Sequence, residues 1–228
     1  MWSRLGNYLW RLTWILLFVP AVLIISLRWV DPPTSSFILQ HNYQQWKSPS
    51  PDYAAHAWSD YANISPHMAI AVIAAEDQRF PLHIGIDMTE ISRALQSKSQ
   101  RSRGASTITQ QTVKNLFLWP GRSYLRKGLE ALLAVTMELL VPKQRILEIY
   151  LNIAQTGEHV FGVTDAAAVY FNKPAAKLNR HEAARIAAVL PNPVRFSVTS
   201  PSNYVLERQR WILKQMKQLG GVRYLDTL

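Results

Sequence analysis

The strongest constraint on the fold is an uncharged apolar run near the N-terminus, residues 12–27 (LTWILLFVPAVLIISL). With its flanking Trp and Arg side chains the run reaches about twenty residues, the length that crosses a bilayer. No small-residue cleavage site follows, so an uncleaved signal anchor is favoured over a cleaved signal peptide, with a buried core helix as the alternative. Arg4 and Arg11 precede the run and only Arg28 closely follows it, which predicts a cytoplasmic N-terminus.

Composition limits the remaining possibilities. The 228 residues are 48% hydrophobic, so the chain can bury a core and is not of the disordered class. The absence of cysteine excludes disulfide scaffolds, thiolate zinc sites and cysteine nucleophiles. Twenty-five Lys and Arg against 15 Asp and Glu give a net charge of +10, which indicates an acidic partner: nucleic acid, anionic lipid or a phosphorylated substrate.

Most of the excess charge falls within one stretch. Between residues 93 and 127 there are eight basic residues and no acidic one: Arg93, Lys98, Arg101, Arg103, Lys114, Arg122, Arg126 and Lys127. Lys114, Arg126 and Lys127 lie in or beside predicted helices of mixed polarity. The stretch therefore predicts a cationic surface within the folded domain.

Helix signals dominate after the N-terminal run. Residues 1–30 are predicted to hold a cytoplasmic tip and the anchor, residues 31–60 a proline-containing linker or adaptor, and residues 61–228 one domain. Helix starts are marked by Ser65-Pro66 and by three capping-box patterns, headed by Asp87, Thr107 and Asn179. A last helix over 203–219 ends at a Gly-Gly pair. Sustained strand alternation is missing, so the predicted fold class is mainly α.

Two carboxylates stand in contrasting surroundings. Glu76 ends the apolar run MAIAVIAAE, where a carboxylate either has a buried partner or is functional. Glu130 follows Arg126 and Lys127 by four and three residues, so it can pair with both on a helix. Two carboxylates in such different environments are typical of glycosyl-transfer sites, whereas a plain ion pair is the alternative for Glu130.

A polar stripe accompanies these carboxylates. Helical spacing brings Thr107, Gln111 and Lys114 to one face, where they can bind sugar hydroxyls or phosphate oxygens. Nucleotide-binding glycine motifs, HExxH and GxSxG are missing from the sequence, and no lysine has a serine three residues before it. The sequence therefore lacks the common signatures of nucleotide binding, zinc proteases and serine acyl transfer.

Five segments in order resemble the motifs of the peptidoglycan glycosyltransferases. They are EDQRFPLH (76–83), GASTITQQTVKN (104–115), RKGLE (126–130), KQRILEIYLN (143–152) and HEAARIAAVLPNPVRFS (181–197). The resemblance covers about residues 60–200, and Ala105 stands where many relatives have Gly. Because an acyl-transfer module is missing, the chain resembles the monofunctional, membrane-anchored members of the family.

The resemblance implies a fold, a reaction and a location. The fold would be a lysozyme-like helical domain with a small, mobile, membrane-proximal lobe, plus one N-terminal transmembrane helix. The reaction would polymerise lipid II into β-1,4-linked glycan with inversion, release undecaprenyl pyrophosphate and serve cell wall biosynthesis. The protein would cross the bacterial inner membrane once, with a periplasmic catalytic domain. Its partners would be the growing glycan strand, membrane lipid and other cell-wall synthesis or division proteins, and not nucleic acid.

The resemblance also implies roles for single residues. Glu76 would be the general base, and Lys114, Arg126 and Lys127 would hold the pyrophosphate. Glu130 would either orient those cations or hold a divalent cation such as Mg²⁺; no other metal ligand is assigned. Binding or site-shaping positions would be Asp77, Phe80, His83, Ser106, Thr107 and Gln111.

Two other functions are compatible with the residues. A lytic enzyme on a lysozyme-like fold would cleave glycan with one glutamic acid as proton donor, and it would not need the cations around Glu130. A non-catalytic, membrane-anchored scaffold would bind anionic lipid or nucleic acid and would tolerate the loss of either glutamate. Dependence of activity on both glutamates therefore separates the enzyme from the scaffold.

Overall fold

The computed structural model describes residue 10 and residues 18–47, 56–96, 106–121 and 123–228. Within these ranges the chain is mainly helical and contains no β-strand, which confirms the predicted class. The helices are α1 Ser36–Lys47, α2 Pro66–Glu76, α3 Met88–Gln96, α4 Ile108–Phe117, α5 Tyr124–Leu140, α6 Lys143–Ile153, α7 Gly162–Phe171, α8 Arg180–Val189 and α9 Asn203–Gln218. Short 3-10 turns occupy Tyr61–Asn63, Phe80–Leu82, Ala175–Lys177 and Gly221–Thr227.

Helix α2 is the centre of the core. Residues 68–75 are all buried, as their apolar sequence requires. The helix begins at the predicted Ser65-Pro66 pair, where the Ser65 hydroxyl accepts the His67 N–H. It packs against α8 and α9. Because α8 contributes several alanines, the helices approach closely, and the C-terminal end of α2 is held between elements distant in sequence.

Helix α4 is the second buried element, and it packs between α5 and α6. Its capping box forms as predicted: the Thr107 hydroxyl accepts the Gln110 N–H, and the Gln110 side chain accepts the Thr107 N–H. The Asn179–Glu182 box at α8 forms in the same way. At α3, Asp87 caps the helix as predicted, but the Glu90 carboxylate pairs with Arg93 at 2.5 Å.

The N-terminal part packs against the domain as far as it is described. Residues 18–26 are helical, and Ile24 and Leu27 are buried. Arg145 of α6 donates to the Leu27 carbonyl over 2.8 Å and pairs with Asp31 at 2.7 Å. Among the described helices, none is both long and apolar enough to span a bilayer. Residues 12–17 of the predicted anchor lie outside the described ranges, and the anchor stays a prediction.

Candidate active site

A cleft of about 740 Å³ opens where the C-terminal end of α2 meets α4, α5 and α9. The predicted residues that line it are Glu76, Asp77, Ser106, Thr107, Gln111, Lys114, Arg126, Lys127 and Glu130. Phe80 and His83 are buried behind the cleft wall and are not part of its lining. The fold therefore brings most of the candidate residues from three separate motifs to one surface.

Glu76 is held by two groups from other elements. Gln111 Nε2, on α4, donates to Glu76 Oε2 over 2.9 Å, and Arg208 Nη2, on α9, donates to Glu76 Oε1 over 3.2 Å. The Glu76 side chain is 13% exposed. The carboxylate is thus oriented from both sides, while each oxygen keeps one lone pair for a further partner.

A buried tyrosine fixes the orientation of Gln111. The Tyr150 hydroxyl donates to Gln111 Oε1 over 3.0 Å, so the amide must present its NH₂ group to Glu76. Burial raises the pKa of Tyr150 well above its usual range, and the charges of Glu76 and Asp77 raise it further. The hydroxyl therefore remains a donor at neutral and moderately alkaline pH.

Asp77 ties the segment after α2 to the start of α4. One oxygen accepts the Ile108 N–H over 3.0 Å, in the first turn of α4, where the helix dipole favours a negative charge. His83 Nε2 donates to the same carboxylate over 3.0 Å. Phe80 is fully buried, and its ring lies edge-on to that of His83 at 6.2 Å. Phe80 and His83 therefore shape the site from behind.

The loop after His83 lies directly against α5, and a glycine makes this approach possible. Gly85 has φ +75°, and a Cβ atom there would lie 2.7 Å from the Ala134 backbone. The Thr107 hydroxyl donates to the Gly85 carbonyl over 2.6 Å. Gly85 thus allows the loop, the cap of α4 and α5 to meet beside the cleft.

Lys114 is a largely buried cation on the cleft wall. Among the described residues its Nζ forms no hydrogen bond or ion pair; its recorded contact is with the Phe37 ring, at 5.5 Å. Burial lowers the pKa of Lys114, and nearby Arg126 and Lys127 lower it further, against the opposing effect of Glu130 and Glu76. A largely desolvated ammonium that pairs directly with no carboxylate of the described residues attracts an anion into the cleft.

Glu130 is held by its own helix. Arg126 Nη1 pairs with Glu130 Oε2 at 2.7 Å, and Lys127 Nζ donates to Glu130 Oε1. Lys127 Nζ also donates to Ser106 Oγ over 3.0 Å. Arg126 and Glu130 are buried, whereas the Lys127 side chain is 47% exposed. Lys114, Arg126 and Lys127 carry three positive charges against the one carboxylate of Glu130, so these residues form a positive wall of the cleft.

A smaller cavity of about 170 Å³ adjoins the cleft. It shares Gln111 and Lys114 with the cleft, and Phe37 and Phe161 contribute aromatic walls. The site thus combines a positioned carboxylate, an anion-attracting wall and space on both sides of Gln111. This arrangement suits proton abstraction from a hydroxyl with departure of an anionic leaving group.

Sequence reasoning missed Arg208 and Tyr150 as residues of this site. Tyr150 lies within the KQRILEIYLN segment, so the motif itself carried a usable signal. Arg208 lies on a helix outside all five motifs, and its position on α9 has no local signature. Only the packing of α9 on α2 places it beside Glu76.

Comparison with known proteins gives the same family as the five ordered motifs. The Transglycosylase family model matches residues 43–217. Proteins named biosynthetic peptidoglycan transglycosylase from Escherichia coli O139:H28 (strain E24377A / ETEC), Escherichia coli (strain K12) and Shigella boydii serotype 4 (strain Sb227) are each 54% identical over 198 residues. The alignments cover 85% of this chain and 82% of each relative. The chain therefore belongs to the transglycosylase family, as its five ordered motifs predicted.

Proposed function

We propose that the chain, as a peptidoglycan glycosyltransferase of cell wall biosynthesis, polymerises lipid II into β-1,4-linked glycan and releases undecaprenyl pyrophosphate. The observation that carries this proposal is the presence in one cleft of an oriented carboxylate, Glu76, and a largely buried cation, Lys114, which forms no ion pair with any described residue. The first can take a proton from an attacking hydroxyl. The second can bind a phosphate leaving group.

Glu76 is the general base in the proposed reaction. A free lone pair on its carboxylate accepts the proton of the 4-hydroxyl of the incoming GlcNAc. The oxygen of this 4-hydroxyl then bonds to C1 at the reducing end of the growing strand, while the bond from C1 to the phosphate oxygen breaks. The electron pair of that bond leaves with the pyrophosphate. Attack opposite the α-linked leaving group gives the β-linked product.

The positive wall stabilises the leaving group. Lys114, Arg126 and Lys127 would contact the pyrophosphate, whose charge grows as the bond to C1 breaks. Lys114 gains most from this contact because it has no counter-ion among the described residues. Arg126 and Lys127 are already paired with Glu130, so they can meet the phosphate without reorganising.

Of the two roles that the family resemblance allows for Glu130, its contacts favour orientation of the cations. One oxygen is engaged by Arg126 and the other by Lys127. A divalent cation such as Mg²⁺ would have to displace one of these cations and sit beside the rest, so these residues do not fit a metal site. We therefore assign Glu130 to positioning Arg126 and Lys127.

The alternatives account for fewer of the contacts. A lytic enzyme needs one glutamic acid as proton donor, and it has no use for the anion-attracting wall that Lys114, Arg126 and Lys127 form in the cleft. A scaffold has no need of the Tyr150–Gln111–Glu76 chain of hydrogen bonds. The transfer reaction uses the oriented carboxylate and the positive wall together.

A membrane location belongs to the same proposal. The substrate carries a polyprenyl tail, so the enzyme must work at the bilayer that holds it. We propose an inner-membrane protein with a single anchor, a cytoplasmic N-terminus and a periplasmic catalytic domain, working with the growing strand and other cell-wall synthesis or division proteins. Leu39, Tyr43 and Trp46 on the exposed side of α1 support contact with a lipid interface.

The decisive experiment is polymerisation of labelled lipid II by the purified full chain in detergent. We expect lysozyme-sensitive polymer from the wild type and a rate about 100-fold or more lower from Glu76→Gln, because a general base contributes about that factor. Glu207→Gln, an exposed acid on α9, is the matched control and should equal the wild type. Bound lipid II without polymer would favour the scaffold, and shortening of preformed glycan would favour the lytic enzyme.

A further inference from the structure

The C-terminal segment beyond the last motif contacts the end of α2. From α9, Arg208 Nη2 donates to Glu76 Oε1 over 3.2 Å and to the Ala75 carbonyl over 3.4 Å. The two partners lie 132 and 133 residues away in sequence. Arg208 therefore connects the last long helix of the domain to the residue that carries the proposed base.

Two more contacts join this segment to Gln78, two residues after Glu76. Gln78 Nε2 donates to Gln215 Oε1 over 3.1 Å, and the Tyr224 hydroxyl donates to the Gln78 carbonyl over 2.8 Å. Together with Arg208, these residues bracket positions 75–78. The part of the chain after residue 203 thus supports the segment that holds Glu76 from one side.

The position of Glu76 explains why a cation is needed there. Glu76 is the last residue of α2, where the helix dipole places partial negative charge and disfavours a carboxylate. Arg208 meets both the carboxylate and a carbonyl of the last turn, so one guanidinium offsets both sources of negative charge. The two side chains are only 13% and 19% exposed, which limits screening by water.

The two oxygens of the Glu76 carboxylate accept hydrogen bonds from two different residues. Gln111, itself fixed by Tyr150, holds Oε2, and Arg208 is the donor to Oε1 among the described residues. This carboxylate also acts electrostatically on Lys114 of α4, where its charge opposes the lowering of the pKa by burial, and on Tyr150 of α6, where its charge adds to the raising of the pKa by burial. Neither of them donates a hydrogen bond to it in the described structure. Loss of Arg208 would therefore free one side of the carboxylate to rotate.

We propose that Arg208 is a positioning residue that orients the Glu76 carboxylate for proton abstraction. The proposal rests on the assignment of Glu76 as the general base. It places part of the reaction machinery on α9, outside the five motifs. Because Arg208 would act through Glu76, its removal should slow the reaction more than it weakens substrate binding.

The kinetic test compares Arg208→Met and Arg208→Lys with Arg210→Met, an exposed arginine two positions along the same helix. In lipid II polymerisation we expect Arg208→Met to lower kcat about 10- to 100-fold, because a misplacement of about 1 Å can cost about 100-fold, with KM changed less than twofold. Arg208→Lys should restore part of kcat, and Arg210→Met should equal the wild type. A raised KM with unchanged kcat, or wild-type kinetics for Arg208→Met, would overturn the proposal.

A second measurement does not depend on the substrate. Thermal unfolding of wild type, Glu76→Gln, Arg208→Met and the double variant forms a double-mutant cycle. We expect Arg208→Met to lower Tm clearly less in the Glu76→Gln background than in the wild type. Equal decreases would contradict the pairing. If the wild type makes no polymer, the proposed function fails, while this cycle still decides whether Arg208 supports Glu76. Arg208→Gln replaces Arg208→Met if the latter does not fold.

Discussion

Glu76 and Glu130 lie on walls of the same cleft but are held in opposite ways. The partners of Glu130 are three and four residues before it on the same helix. The partners of Glu76 come from α4 and α9 and are 35 and 132 residues away. Local spacing therefore determines the surroundings of Glu130, whereas helix packing creates those of Glu76.

This difference has a functional consequence. A helical i, i+4 pair keeps its geometry when neighbouring helices move, so Arg126, Lys127 and Glu130 form a local unit on α5. The orientation of Glu76 depends on how α2, α4 and α9 meet. We expect changes in packing to disturb the proposed base more than the anion site, and the following variants test this contrast.

Among the variants that test this contrast, Lys114→Met should have the largest effect. Loss of the Lys114 charge should lower kcat/KM for lipid II about 10- to 100-fold, because a hydrogen bond to a charged group contributes about 1.5–3 kcal/mol. Tm should stay equal or rise, since the variant replaces a desolvated ammonium, which has no ion pair with the described residues, by an apolar chain of similar length. Lys177→Met, at an exposed position, is the control. A clear fall in Tm would indicate a structural role for Lys114 instead.

Glu130→Gln should lose less activity than Glu76→Gln but more stability. The variant leaves the buried Arg126 and the nearby Lys127 without their counter-charge, so Tm should fall by about 5 °C or more. Polymerisation should fall about tenfold because charge-assisted hydrogen bonds position both cations. Glu158→Gln, at an exposed position, is the control. If Glu130→Gln unfolds at the wild-type Tm, the ion pairs do not stabilise α5.

The pH dependence of kcat/KM should reflect the loss of the Lys114 charge. Because burial lowers the pKa of Lys114, the free enzyme loses this charge as the pH rises through that lowered value, and kcat/KM falls. Arginine keeps its charge, so Lys114→Arg should move the alkaline limb of kcat/KM to higher pH. Lys177→Arg should not move it. An unchanged limb in Lys114→Arg would assign the alkaline limb to another group.

The smallest effect should come from Tyr150→Phe. Without the hydroxyl donor, Gln111 can turn its amide, and kcat should fall by a factor of about five, as expected for one neutral hydrogen bond of about 1 kcal/mol. Tm should fall by about 2–4 °C for the same reason. Tyr124→Phe removes a fully exposed hydroxyl and serves as the control. A kcat equal to the wild type would mean that Gln111 is held without Tyr150.

Much of the fold was predictable because its signals are local. Ser65-Pro66, Thr107 with Gln110, and Asn179 with Glu182 begin helices as their sequence patterns predict. The Glu90 side chain was mispredicted as part of a capping box, because Arg93 one turn along the same helix competes for its carboxylate. The lysozyme-like arrangement, the mobile lobe and the domain boundaries stay predictions.

The sequence by itself determined the helix starts at Ser65, Thr107 and Asn179, the two cations that precede Glu130 on α5, and the family. Each depends on residues within a few positions of one another or on motifs in order along the chain. Only the tertiary structure decided that Phe80 and His83 lie behind the cleft, that Tyr150 fixes Gln111 and that Arg208 reaches Glu76. These contacts join residues from helices and loops that pack together in the folded chain, and no local pattern encodes where such surfaces meet.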